Sequence, residues 1–195
     1  MKKIQLQPNT FLYPMPLVIV GTMADDRPNF ITIAYCGIVQ HTPPMISIAS
    51  SKVHFSNKWI KRNRSFSVNI PSTDMIELTD YIGMYSGRET DKSEICELFC
   101  GDIPSAPMIK QSPLSLQCKL MESIEVGGVN EIFIGEILKV YANEDCITNG
   151  LPDITKLQPI LFSMHDNNYW GVGKHLGKAW NIGKNFNPNT KKDGQ

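Results

Sequence analysis

Long apolar runs are missing from this sequence. The densest, LVIV at 17–20, falls far short of the ~20 residues that a bilayer-spanning helix needs, so no membrane segment is expected. Net charge is missing as well. Lys and Arg together number 19, and so do Asp and Glu, which leaves no global field to gather nucleic acid or an anionic membrane. Any anion site must be local. The opening MKKIQLQPNTF has two lysines but no apolar stretch behind them, so no signal peptide is expected and the expected compartment is the cytoplasm. Five cysteines, an odd number at irregular positions, suit a reducing compartment better than a disulfide scaffold. There is no His-x-x-x-His pair and no Gly-x-Gly-x-x-Gly fingerprint, and His41, His165 and His175 have no triad-like context. Nothing therefore points to a zinc site, a Rossmann dinucleotide site or a nucleophilic triad.

What is present suffices for one domain. With 195 residues, 42% of them hydrophobic and 19% charged, the chain can bury one full-sized core. A single domain over residues 1–186 is expected, followed by a polar, flexible tail, NPNTKKDGQ, over 187–195. Segments rich in apolar and β-branched residues predict strands at 16–22, 30–36, 45–50, 65–70, 114–126 and 131–141, the last two joined through GGVN as a hairpin. Three helices are expected. The first covers 56–63 with Ser56 as N-cap, the second runs from Asp74 to Gly87 with Asp74 and Glu77 at capping-box spacing, and the third is short, over 93–101. Many short strands, few helices and 13 prolines predict a mainly β, α+β fold: a closed or partly closed barrel with helical excursions.

The stretch RPNFITIAYCGIVQHTPPMISIASSKVHFS, 27–56, holds the candidate site. In its first strand, alternate side chains on one face are small, Thr32 and Ala34. Such a face either packs tightly against a neighbour or lets a flat ligand lie against the backbone. The second strand runs into Lys52, His54 and Ser56 ahead of a helix start, where free N–H groups, cations and a hydroxyl can cradle a phosphate. A solvated turn with a capping serine fits the same spacing. Arg88 and Lys92, in SGRETDKSE at 86–94, are candidates for a further grip on an anion, though charge-rich loops are commonly just solvated. Cys96 and Cys100 match no metal or redox spacing and read as free thiols. The aromatic, glycine-rich NYWGVGKHLGKAWNIGK near the end can dock as a tail or cap a pocket with Tyr169 or Trp170.

In order along the chain, YPMPLVIVGT, PNFITIAYCGIVQHTPP, ISIASSKVHFS, FSVNIPS, YIGMYSGRETDK, FIGEIL and YWGVGKHLGKAWNIGK resemble the flavin reductase-like, FMN-binding split-barrel family, and within it the flavoredoxin branch. The resemblance spans roughly residues 8–186. It implies a Greek-key split β-barrel, FMN as cofactor, a homodimer with each flavin near the interface, and either NAD(P)H or a redox protein as electron donor. By the same resemblance the isoalloxazine lies along Thr32, Ile33, Ala34 and Tyr35, with Asn29, Lys92 and Asn130 nearby; Trp170, a candidate cap, is counted with the cofactor-binding residues. Ser50, Ser51, Lys52, His54 and Ser56 hold the ribityl phosphate. His54 stands where relatives commonly carry a hydroxyl residue, Tyr35 where flavoredoxins tend to carry tryptophan, and Asn130 where a histidine sometimes sits. No protein acid, base or nucleophile is expected, because the flavin supplies the redox chemistry. The alternatives are a non-enzymatic FMN barrel for storage or sensing and an oligonucleotide-binding barrel. Neutral charge and the lack of interleaved basic and aromatic residues argue against the latter.

Overall fold

The alternating and continuous apolar segments become one seven-stranded antiparallel sheet in a computed structural model that describes residues 1–187. Its strands are β1 (Val18–Ala24), β2 (Arg27–Ile33), β3 (Cys36–Gln40), β4 (Met45–Ser51), β5 (Ser65–Ile70), β6 (Leu114–Ile124) and β7 (Asn130–Ala142). They run in the order β2-β1-β5-β6-β7-β4-β3. The two edge strands, β2 and β3, are consecutive in the chain, and only Ala34 and Tyr35 separate them. Three peptide links reach at most ~11 Å, so the sheet must curl until its edges meet there. At the seam Ala49 N–H of β4 donates to Tyr35 O at 2.7 Å, which carries the β3–β4 ladder one step into the link. This is the expected mainly β split barrel, and residues 34–35 are its seam.

The interior explains the alternation in the sequence. Val18, Val20, Ile33, Ile46, Ile48, Phe66, Val68, Leu120 and Phe133 form one buried cluster. Space there is tight: a Cβ on Gly135 would fall 2.5 Å from the Phe66 ring. Helix α1 (Ser56–Asn63) packs Ile60 into the same cluster. On the outer face, helix α2 (Ile76–Met84) buries Ile82 against Ile19, Phe30 and Ile109. β1 is thus covered on both sides, which is why it reads as an unbroken apolar run. Short strands Met15–Pro16, Leu161–Ser163 and Asn168–Trp170 form a separate three-stranded sheet.

Several local expectations are corrected. The strand expected at 30–36 is two strands with the seam between them. Ser56 is the first residue of α1 rather than its cap; Phe55 holds the cap position and makes no side-chain cap bond. The helix expected from Asp74 is a 3-10 turn, Thr73–Met75, followed by α2, which stops at Met84, short of Gly87. No helix forms over 93–101: Leu98–Phe99 pairs with Met108–Ile109, because Leu98 and the neighbouring Ile95 and Cys96 pack onto the α2 cluster. Cys96 and Cys100 therefore share no helix face. Apart from Asn187, the expected tail at 187–195 lies outside the described residues. No described helix is long and apolar enough to cross a membrane.

Candidate functional site

On the outer wall of the seam lies a cavity of about 620 Å3, within the ~300–1,000 Å3 typical of small-molecule pockets. Strand alternation supplies its floor. Thr32 and Ala34 face out from one edge and Ala49 and Ser51 from the other, while Ile33, Ile48 and Ser50 turn inward and are buried. Tyr35 and Asn130 complete the strand-borne wall. The opposite wall is Asp80, Gly83 and Met84 of α2 with Phe162, Met164 and Tyr169 from the small sheet and its turn. Tyr169 O–H donates to Asp80 at 2.6 Å, tying the two sides together. Burial and then the Asp80 carboxylate push the phenol up to about 12. Thr32 also donates to Thr79 O at 2.6 Å; the small face both packs against α2 and opens into the cavity.

A second cavity, about 280 Å3, shares Thr32, His54, Gly83 and Met84 with the first. Its far end is Phe55 and Ser56 at the start of α1, Ser86 and Gly87 after α2, and Lys92. Lys92 is only 2% exposed. Its ammonium donates to Phe30 O at 3.0 Å and Ile82 O at 2.7 Å, so it caps the carbonyl end of α2 while serving as the cavity's buried cation. Burial pulls its pKa down to about 8. Two acceptors leave one of its three N–H donors for a ligand. Asn29 is a support: its amide donates to Ser56 Oγ at 2.8 Å, fixing β2 to the start of α1. Its Oδ1 abuts Gly87, where a Cβ would sit 1.8 Å away; only glycine lets that loop close over the cavity.

His54, between the cavities, has a defined proton position. Asn57 Nδ2 donates to Ser51 O at 3.0 Å, which turns Oδ1 toward Ser50, and Ser50 Oγ donates to that Oδ1 at 2.7 Å. With its single proton spent, Ser50 Oγ must accept from His54 Nδ1 at 2.9 Å. The neutral ring therefore keeps Nε2 as an acceptor for a ligand. Burial, and then the nearby Lys92 charge, lower the His54 pKa below its ordinary value.

Two expected residues stand apart. Lys52 pairs with Glu125 at 2.5 Å and lines a third, polar hollow with Lys58, Lys61 and Arg88. Trp170 points away from the seam, donates to Ser163 Oγ at 2.8 Å and lines an apolar hollow with Tyr13, Pro14 and Phe162. Its neighbour Tyr169 takes the cavity side, as alternation along a strand requires. Asp80, Met84, Phe162 and Met164 carried no signal in the sequence, because they reach the cavity only through tertiary packing.

The flavin reductase like domain family matches residues 10–162 of this chain. The chain belongs to that family. Its structure is similar to that of a flavoredoxin from Methanosarcina acetivorans, with 39% identity and a TM-score of 0.91 over 94% of this chain and 98% of that one. A flavoredoxin of Desulfovibrio vulgaris (Miyazaki F) is similar at 35% identity and a TM-score of 0.87, over 93% and 100% of the two chains. An uncharacterized protein of Archaeoglobus fulgidus is 26% identical over 148 residues, 74% of this chain and 81% of the relative. As a member of the flavin reductase like domain family, the chain has the mainly β split-barrel fold.

Proposed function

We propose that this protein binds FMN and serves as a flavoredoxin- or flavin reductase-like oxidoreductase or electron carrier. The observation that carries this reading is the pair of joined cavities. One is wide, largely apolar and floored by small residues at a backbone seam; the other is narrow and ends in a buried ammonium and a helix start. A flat heteroaromatic ring fits the first, and a phosphate on a short polyol chain fits the second. The flavoredoxin relatives support the same assignment.

When bound, FMN supplies hydride and single-electron transfer. The chain's residues hold and tune it. The seam at Ala34–Tyr35 and the facing Ala49–Ser51 segment offer backbone groups to the ring's polar edge, and Asn130 adds an amide. His54 Nε2 accepts a hydrogen bond from the polyol at the neck. Lys92, with Ser56, Ser86 and the first N–H groups of α1, receives the phosphate. Backbone N–H groups and the Asn130 amide at the ring's polar edge stand where negative charge develops on reduction, which favours the reduced cofactor. Met84, Phe162 and Tyr169 limit water over the ring.

The purified protein should be yellow with bound FMN. In an anaerobic titration, bleaching by NADH or NADPH marks a reductase, and bleaching only by a reduced protein such as ferredoxin marks a carrier. A protein that binds FMN and is bleached by none of these is the non-enzymatic FMN barrel, the alternative reading. A protein that binds no flavin sinks both.

A further inference from the structure

The larger cavity has two faces of different chemistry. Its floor, at the seam, is Thr32, Ala34, Ala49 and Ser51, small and neutral. Its opposite wall holds Asp80 and Met84 of α2, Phe162 and Tyr169 of the small sheet, and Met164 of the turn between those two strands. Phe162 and Tyr169 are direct cross-strand partners, which puts both rings on one face, 5.6 Å apart and inclined at 43°. Tyr169 spends its single proton on Asp80 Oδ1 at 2.6 Å, so its own oxygen offers lone pairs only. None of the ion pairs among the described residues includes Asp80.

The lining of this cavity includes no lysine or arginine. Its one imidazole, His54, lies at the neck, with a pKa that burial holds below the ordinary 6.5. Cations collect at the other end: Lys92 closes the smaller cavity, and Lys52, Lys58, Lys61 and Arg88 line the polar hollow behind His54. The joined cavities are therefore polarised along their length, cationic where a phosphate fits and anionic at the aromatic wall. A carboxylate beside ring faces and thioether sulfurs is the chemistry that holds a positively charged ring. Ring faces attract a cation through their quadrupole, and the sulfurs of Met84 and Met164 are polarisable and favour aromatic contacts. Inside a cavity the carboxylate attracts a cation and repels an anion with little screening. A flat cofactor ring belongs on the floor, so a molecule that meets its open face also meets this wall.

We infer that Asp80, Phe162 and Tyr169 form a co-substrate subsite facing the cofactor ring, which selects flat rings carrying positive charge over anionic rings of the same size. That the ring on the floor is a flavin rests on the reading above; the charge preference rests on the wall. The electron donor or acceptor of this protein is then a heteroaromatic cation, or a neutral ring that becomes one on giving up a hydride. Aromatic carboxylates and sulfonates are poor partners.

The test is a calorimetric titration of the FMN-loaded protein with flat bicyclic probes of matched size: N-methylquinolinium, a cation; quinoline, neutral at neutral pH; and quinoline carboxylate, an anion. The cation should bind ~tenfold or more tighter than quinoline, and the anion more weakly than either. Asp80→Asn keeps the side chain's shape and an oxygen for Tyr169 but removes the charge. It should bring the affinities of all the probes to within about threefold of one another, with quinoline itself little changed. A change that merely loosened the fold would weaken every probe alike. Should Asp80→Asn fail to fold, Asp80→Ser takes its place. Equal affinities in the wild type, a preference for the anion, or a ranking that survives in Asp80→Asn overturns the inference. Flavin is read separately by absorbance: a protein that takes up no FMN refutes the flavin reading, and the same titration of the flavin-free protein then upholds or overturns the charge preference by the same ranking.

Discussion

The larger cavity is floored by barrel strands and faced by α2 and the small sheet, with mostly apolar side chains; the smaller ends in a helix start, two loops and one buried ammonium. The first takes its shape from a backbone ladder that many residues hold in common. The second is held by single long-range bonds, from Lys92 to Phe30 and Ile82 and from Asn29 to Ser56. Binding of a ring should therefore tolerate most side-chain changes short of filling the space. Binding of a phosphate should depend on one or two residues.

The largest effect should come from removing the space itself. Ala34→Phe puts a ring where the proposed cofactor's ring lies, and it should weaken FMN and riboflavin alike, on the order of a hundredfold or more, since a rigid strand floor relaxes little around an added aromatic. Calorimetric titration of both ligands checks this; loss of FMN alone would place the ring elsewhere.

Lys92→Met comes next. A lost bond to a charged group costs roughly 1.5–3 kcal/mol, so FMN should bind about tenfold to hundredfold more weakly, with riboflavin nearly unchanged. Thermal stability should fall too, because Phe30 O and Ile82 O lose their donor. The same ammonium sets two opposite pH trends. Its folded pKa, about 8, lies below the ordinary 10.5. Between those values the unfolded chain binds a proton that the folded chain does not, so stability of the ligand-free protein rises with pH across the window. FMN affinity runs the other way and falls as pH climbs above about 8. Lys92→Met should flatten both curves.

His54 acts in the acid range with a smaller effect. Because folding lowers its pKa, the unfolded chain takes up the proton first, and acidification below the ordinary value of 6.5 should cost stability. Chemical denaturation of His54→Gln across that range should show a shallower slope. The smallest effect belongs to Lys52. Its pairing with Glu125 is substantially exposed, and such pairs contribute ~0–1 kcal/mol. Lys52→Ala should change FMN affinity by no more than about fivefold, by the same measure.

Much of the wall was legible in the sequence. Thr32 and Ala34, singled out as a small face, do share the floor of the larger cavity, because a strand's two-residue period fixes which side chains share a face; Ser51 and His54, expected at the phosphate, line this cavity as well. The seam was not legible: FITIAY reads as one strand, and only closure of the sheet shows that the chain changes edges at Ala34. Lys92 was expected near the anion, but its depth, 2% exposed, comes from loop closure at Gly87 and Asn29, which no local pattern encodes. The helix expected at 93–101 failed because tertiary packing of Leu98 and Cys96 outweighed a weak local preference. Of the two aromatics that could cap a pocket, Tyr169 stands at the larger cavity and Trp170 does not, since successive strand side chains take opposite faces.

The most direct test of the joined cavities is a calorimetric comparison of FMN with riboflavin on wild-type protein near pH 7. The two ligands share a ring and differ only in the phosphate. A two-part site with Lys92 at its end predicts FMN binding about tenfold or more tighter, and a preference that disappears in Lys92→Met. Equal affinities in the wild type, or a preference that survives in Lys92→Met, would contradict it.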